Sequence, residues 1–361
     1  MSDLIEQIHR SPKKFVLALT GGGSRALAKL LSIPGASETV LEASIPYHSQ
    51  ALNTYLGQEP ENSASSSTAR NLAMAAWHRA HTINGSHVNV AGVGVTCALT
   101  TKRRRLGTNR CHIAIQTSSQ TTEVNIVFDG ETRSRQDEEN IISDIIIQQL
   151  ADFCGLKAPY LTVPGKILKR TKNASETWSD LLTGKLKTTL SSNNSLNIFP
   201  GAFNPLHQGH KEMIAYSEKL LGDKVYLEVS ISNVDKLPID FLTMQDRQKQ
   251  INKNPLIFTN SPTFLEKARL FPRARFILGV DTVLRIVDKK YYGNDERLLA
   301  SSIDEICELG CKMVVFGRQF DGKFLTLDHL TLPEKIKRLC VGVEEKEFRS
   351  DISSTLLRES K

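Results

Sequence analysis

Ten residues, Gly201-Ala202-Phe203-Asn204-Pro205-Leu206-His207-Gln208-Gly209-His210, do most to limit what this chain can fold into. Ahead of them, Leu196-Asn197-Ile198-Phe199 is a short apolar stretch bounded by polar residues, the pattern of a buried strand. Beyond them, Met213, Ile214, Ser217, Leu220 and Leu221 recur at helical spacing, so a helix is expected to begin near Gly209. Both histidines therefore stand where a strand turns into a helix. A helix start carries unpaired N–H groups and a partial positive charge, which suits a phosphate. Imidazoles placed there add hydrogen bonds that strengthen as charge develops on that phosphate.

A second anion cradle lies at Asp351-Ile352-Ser353-Ser354-Thr355-Leu356-Leu357-Arg358, where hydroxyls at a helix start are followed by an arginine. The two stretches together imply chemistry on a nucleoside triphosphate. They resemble the H-x-G-H and I-S-S-T-x-x-R signatures of the nucleotidyltransferase superfamily. Its members include nicotinamide and nicotinate mononucleotide adenylyltransferases, pantetheine-phosphate adenylyltransferase and the cytidylyltransferases. The longer string G-x-F-x-P-x-H-x-G-H is complete, with Asn204 where many members carry Asp.

That resemblance implies in-line attack by a phosphomonoester on the α-phosphorus of ATP, with release of pyrophosphate. His207, His210 and Arg358 take the catalytic roles: His210 on the α-phosphate, His207 on neighbouring oxygens, Arg358 on the departing pyrophosphate. Gly201, Phe203, Gly209, Ser353, Ser354, Thr355 and Asp281 are the nucleotide-binding residues, Phe203 and Pro205 chiefly as shapers of the turn. Mg2+ accompanies ATP, and no metal ligand from the protein is expected. Gly279-Val280-Asp281-Thr282 resembles a segment of the pyridine mononucleotide adenylyltransferases, as do Asn233-Val234-Asp235-Lys236 and Asp246-Arg247. Tyr291 and Tyr292 fall where those enzymes place a ring-stacking tryptophan. The expected acceptor is thus a pyridine mononucleotide, with phosphopantetheine, or phosphocholine and CTP, as rivals. Lys211 and Lys236 are candidate auxiliary cations.

From Leu196 onwards, strand-like and helical stretches alternate, implying a Rossmann-like doubly wound parallel sheet with its ligand at the carboxyl ends of the strands. At 361 residues the chain is long for one core, and two domains are expected. The expected boundaries are 1–157 for a first α/β sandwich domain, 158–195 for a connector holding one helix near Glu176–Leu182, and 196–361 for the second domain. Ala69–Ala80 reads as an alanine-rich helix, Val88–Val95 as a glycine-bearing strand, and Cys111–Thr117 with Glu123–Phe128 as a hairpin.

In the first domain, Thr20-Gly21-Gly22, Ile45-Pro46-Tyr47-His48-Ser49 and Val95-Thr96-Cys97-Ala98-Leu99 resemble worn versions of three motifs of the CinA C-terminal family, the nicotinamide-nucleotide amidases. The alignment puts Ala18 where that family has its nucleophilic serine and Leu52 where it has its lysine. Neither side chain supplies nucleophile or base, so this domain is expected to be silent as an amidase. Nucleotide binding, assembly or scaffolding are its remaining roles. The run Gly21–Gly23 lacks the spacing and lysine of a Walker loop.

Other classes are excluded or ranked low. No apolar run reaches the length of a membrane span, and the N-terminus lacks a signal-peptide pattern. Six cysteines without C-x-x-C pairs argue for reduced thiols in a cytoplasmic or nuclear compartment. The net charge of +7 is partly gathered at Lys102–Arg105, but no aromatics interleave that run, so nucleic acid ranks last among partners. A homo-oligomer is compatible with the sequence. The main alternative to an enzyme is a nucleotide-binding sensor or scaffold without turnover.

Overall fold

The computed structural model describes residues 1–102, 107–130, 133–159, 161–190, 195–234, 237–320 and 322–350. The C-terminal motif, with Ser353, Ser354, Thr355 and Arg358, lies outside the described residues, as do Arg103–Arg105 and Lys236. The chain divides into two compact units: residues 1–183 with 235–243, and residues 184–234 with 244–361.

The first unit holds a six-stranded mixed sheet. Its strands are β1 (Lys14–Thr20), β2 (Val40–Ser44), β3 (Val90–Ala98), β4 (Arg110–Gln116), β5 (Gln120–Phe128) and β6 (Gly165–Asn173), in the order β2-β1-β3-β4-β5-β6. β1 runs parallel to both β2 and β3, and the remaining pairs are antiparallel. Strand β6 falls in the stretch read as a connector. Its residues are almost all exposed and four of nine are Lys or Arg, so no apolar alternation marks it as a strand. Backbone pairing to β5 from Gln120↔Asn173 to Phe128↔Gly165 holds it instead. The helix expected near Glu176–Leu182 has those same bounds, capped by Ser175.

Two sequence features noted separately belong to one contact. Strand β3 alternates small and branched residues, so Val93 and Val95 enter one core while Gly92 and Gly94 face the other way. A Cβ on Gly94 would overlap the carbonyl of Ala69, and one on Gly92 the backbone of Ala73 and Trp77. The alanine-rich helix, Ser66–Asn84, therefore lies directly on the strand, with Ala69, Ala73 and Ala76 fully buried. The opposite face of the sheet is covered by Ile142, Ile145, Ile146 and Leu150 of the helix Arg135–Phe153, together with Leu4, Ile5 and Ile8 of the helix Ser2–His9.

Residues 237–243 are fixed in this unit by charge. Arg70, largely buried, pairs with both Glu123 and Asp240, the latter at 3.1 Å, and Arg170 reaches Glu123 at 3.2 Å. The Phe241 N–H donates to Thr121 Oγ1 at 3.0 Å.

The second unit contains an all-parallel six-stranded sheet. Its strands are β7 (Asn197–Pro200), β8 (Val225–Ser230), β9 (Leu256–Thr259), β10 (Arg275–Gly279), β11 (Lys312–Phe316) and, after the small antiparallel hairpin β12 (Arg318–Phe320) and β13 (Lys323–Leu325), β14 (Cys340–Val343). The order is β14-β11-β10-β7-β8-β9. The chain moves from β7 outward to β9, then returns to lay β10 on the other side of β7. The reversal between β7 and β10 is the switch point at which doubly wound sheets bind ligands.

Two substitutions test these contacts. Gly94→Val should destabilise the first unit by about 3 kcal/mol or more, because neither the helix backbone nor the strand can yield locally. Arg70→Met should cost about 3–5 kcal/mol by stranding Glu123 and Asp240. Urea denaturation of each variant against the wild type reads both effects.

Candidate functional site

The second unit's site is assembled at that switch point. β7 ends at Pro200, and the next N–H, that of Gly201, donates to the Glu228 carbonyl of neighbouring β8 at 2.9 Å. The chain then turns back over itself. Phe203 is buried with φ at 44°, a region that bulky L residues rarely adopt, and its ring lies over the Gly201 Cα. A Cβ on Gly201 would stand 2.8 Å from that ring, so glycine is required there. The strained backbone of Phe203 is held by its packing against Phe199, with ring centroids 5.3 Å apart. Phe203 thus packs within the turn itself.

The helix Gln208–Leu221 begins immediately after His207. His207 and His210 stack with ring centroids 3.6 Å apart. Phe203 and Phe199 pack edgewise on His210 at 5.1 and 5.8 Å. His210 Nδ1 accepts the backbone N–H of His207 at 3.3 Å. This bond fixes the neutral tautomer with its proton on Nε2. Burial among the aromatic rings, and then the neighbouring His207, lower the His210 pKa to about 3. Burial, followed by the positive charge of Arg318, lowers that of His207. Both rings are therefore uncharged near neutral pH, and His210 presents a fixed N–H donor.

Two polar atoms are left over at this turn. His207 Nδ1 and Ser350 Oγ are buried without a hydrogen-bond partner. A Cβ on Gly209 would stand 2.6 Å from Ser350 Oγ and 3.3 Å from His207 Nδ1, so Gly209 leaves the room in which the two approach. Ser350 is the last described residue before the C-terminal motif. Phe348 anchors that arm against Phe316 and Tyr216, at 4.9 and 6.2 Å between centroids. The structure thus brings Gly201, Phe203, His207, Gly209 and His210 together and leads the chain to that point just before Ser353.

Asp281 sits in the first turn of the helix Val280–Ile286, directly after β10. Its carboxylate pairs with Arg318 Nη1 at 3.2 Å. Sequence reading missed Arg318. The available signal was a Gly-Arg pair closing an apolar strand, β11, beside the strand that carries Asp281. Of the two tyrosines expected as a platform, Tyr292 donates its hydroxyl to the Ile286 carbonyl at 2.9 Å, while Tyr291 has Arg285 and Lys290 against its ring.

The glycine run of the first unit is a contrasting case. Gly23 N–H and Ser24 Oγ, at the start of the helix Ser24–Leu31, both donate to Glu139, at 2.5 and 3.2 Å. Gly21 and Gly22 are pressed against Cys97 of β3, leaving no room for a Cβ. This helix start is neutralised by a carboxylate of the protein itself, and its glycines serve close packing. Ala18 is wholly buried within β1, and Leu52 is buried on the helix Ser49–Leu56.

Comparison with known proteins agrees with the second unit's geometry. Residues 198–360 match the cytidylyltransferase-like family, and that portion of the chain is a nucleotidyltransferase-like domain. A putative nicotinamide mononucleotide adenylyltransferase of Schizosaccharomyces pombe is 28% identical over 182 residues, covering 46% of this chain and 70% of the relative. Among solved structures, the competence/damage inducible protein CihA of Agrobacterium tumefaciens aligns over 42% of this chain and 94% of its own, at 17% identity and a TM-score of 0.36. A competence or damage-inducible protein of Enterobacter asburiae gives 43%, 96%, 14% and 0.34 for the same measures. At those scores the first unit's architecture rests on its own strand order. No helix among the described residues is long and apolar enough to cross a membrane.

The depressed pKa of His210 has a measurable consequence. Above pH ~6.5 the ring is neutral in folded and unfolded chains alike and contributes no pH dependence. Below that, the unfolded chain binds a proton that the folded one refuses until about pH 3, so stability falls as the solution is acidified. Between pH 6 and 4 the wild type should lose about 1.4 kcal/mol per pH unit more than His210→Asn. Denaturant titrations at several pH values check the difference in slope.

Proposed function

We propose that the chain transfers the adenylyl group of MgATP to a phosphomonoester, most specifically a pyridine mononucleotide, and releases pyrophosphate. The observation that carries this reading is His210: a neutral imidazole, its tautomer set by the His207 N–H, standing at a helix start on the switch point of a parallel sheet. Such a group donates a hydrogen bond to the α-phosphate and strengthens it as charge accumulates in the transition state. It gains no proton in the process, so it stabilises charge without acting as a general acid. His207, with its free Nδ1, and Ser350 have the polar capacity for further phosphate oxygens.

Transfer between two phosphates asks chiefly for positioning and charge neutralisation. The helix start and the two imidazoles supply that for the reacting phosphorus. Magnesium arrives on the triphosphate as part of the substrate. Under this reading Ser353, Ser354 and Thr355 of the C-terminal motif donate to the β- and γ-phosphates, and Arg358 binds the leaving pyrophosphate. The pyridine mononucleotide as acceptor is supported by the name of the fission-yeast relative and by the Gly279-Val280-Asp281-Thr282 segment. The first unit takes no catalytic part: its glycine turn is closed by Glu139, and Ala18 and Leu52 offer no reactive group.

Pyrophosphate release from the purified chain with MgATP should be supported by nicotinamide or nicotinate mononucleotide, and not by phosphopantetheine or phosphocholine (the last also with CTP). His210→Ala should lower kcat by about a hundredfold or more with little change in ATP affinity. ATP binding without pyrophosphate release for any acceptor would replace the enzyme by a nucleotide sensor.

A further inference from the structure

We infer that Arg318 is a phosphate-binding residue of this site, contacting an oxyanion of the nucleotide or of the attacking phosphomonoester while Asp281 holds it in place. The inference rests on the transferase reading above and adds a residue that lies outside both sequence motifs.

Three features of its placement carry it. Arg318 follows β11 by two residues, and β11 adjoins β10, which adjoins β7, so it emerges at the same sheet end as Asp281 and His207. Its backbone is fixed. Gly317 makes the turn out of β11 at a point where a Cβ would stand 2.8 Å from the Leu325 carbonyl, and Arg318 itself pairs with Leu325 in the β12–β13 hairpin. Arg349, one residue before Ser350, donates to Gln319 at 3.4 Å and lies over the Phe324 ring at 5.3 Å, tying the arm that leads to the C-terminal motif to this hairpin.

The third feature is charge. The guanidinium is about half exposed, and its ion pair with Asp281 is made through Nη1. A structural ion pair this exposed contributes little to stability. The charge reaches His207, where it opposes protonation of the ring. The two imidazoles are neutral and bring no charge to the phosphates they face. Arg318 brings a permanent positive charge to that place, on a planar fork suited to phosphate oxygens. Asp281, anchored in a helix turn, limits the rotamers of a side chain that would otherwise be mobile.

The test uses the full chain and the variants Arg318→Gln and Arg318→Lys at this half-exposed position, with thermal melts to confirm that each variant folds. Calorimetric titration with MgATP and with inorganic pyrophosphate, together with KM for the accepted mononucleotide, separates the two phosphate sources. Arg318→Gln should weaken one of these by tenfold or more, ATP and pyrophosphate if it holds the triphosphate, the mononucleotide alone if it holds the acceptor. Arg318→Lys should recover part of the loss. Histidine NMR should show the His207 pKa rising in Arg318→Gln, a readout independent of turnover. Unchanged affinities and KM in Arg318→Gln, with an active wild type, overturn the inference, and so does an unmoved His207. A wild type that neither binds ATP nor releases pyrophosphate overturns the transferase reading, and this inference with it.

Discussion

Adjacent parallel strands whose connections leave in opposite directions open a crevice at their carboxyl ends, and the second unit depends on one such place. β7 and β10 lie side by side, yet the chain visits β8 and β9 between them. The turn after β7, the helix start after β10 and the turn after the neighbouring β11 therefore reach one end of the sheet without a crossover in the way. Each of these turns carries a residue of the candidate site: His207, Asp281 and Arg318. The backbone supplies the concavity, and the side chains have only to furnish its polarity.

That polarity is unusual in being mostly uncharged. A histidine pair at a phosphate site suggests cations, but packing against Phe199 and Phe203 removes His210 from water, and the stacked His207 ring further opposes its protonation. An N–H donor of fixed direction pays no reorganisation when charge develops in front of it. The same aromatic packing explains Gly201 and the strained Phe203, since the ring over Gly201 is also the ring against His210. Turn geometry and imidazole chemistry are thus one constraint.

Much of this was legible in the sequence, for identifiable reasons. The helix Glu176–Leu182 was legible because polar and turn residues flank a short apolar run. The glycines of β3 were visible, but their purpose was not, because the partner of Gly92 and Gly94 is the backbone of a helix distant in sequence. β6 was hidden by its lysines, as an edge strand needs no buried face. The helix Glu296–Glu308 went unread although Asp295 caps it and Ile303 and Ile306 are buried, because its apolar residues are broken by serines. Arg318 escaped notice for a different reason: its partners lie 37 and 111 residues earlier in the chain, and only strand order brings them together.

The chain also shows why a glycine-bearing strand-to-helix turn does not by itself define a phosphate site. Gly21–Ser24 and Gly201–His210 both follow a parallel strand and both start a helix of at least eight residues. In the first, Glu139 from a distant helix occupies the donors, with Arg135 bonded to the Gly21 carbonyl at 2.9 Å beside it. An incoming anion would have to displace a carboxylate already desolvated and hydrogen-bonded. In the second, the nearby buried polar atoms are an imidazole nitrogen and a hydroxyl, groups that can donate to a phosphate oxygen and that have no partners. Burying such atoms unsatisfied costs about 1–3 kcal/mol each, a cost that a bound phosphate would offset. The difference between a closed turn and an open one therefore lies in what the rest of the fold places opposite the helix start, and that separates the packing turn of the first unit from the candidate site of the second.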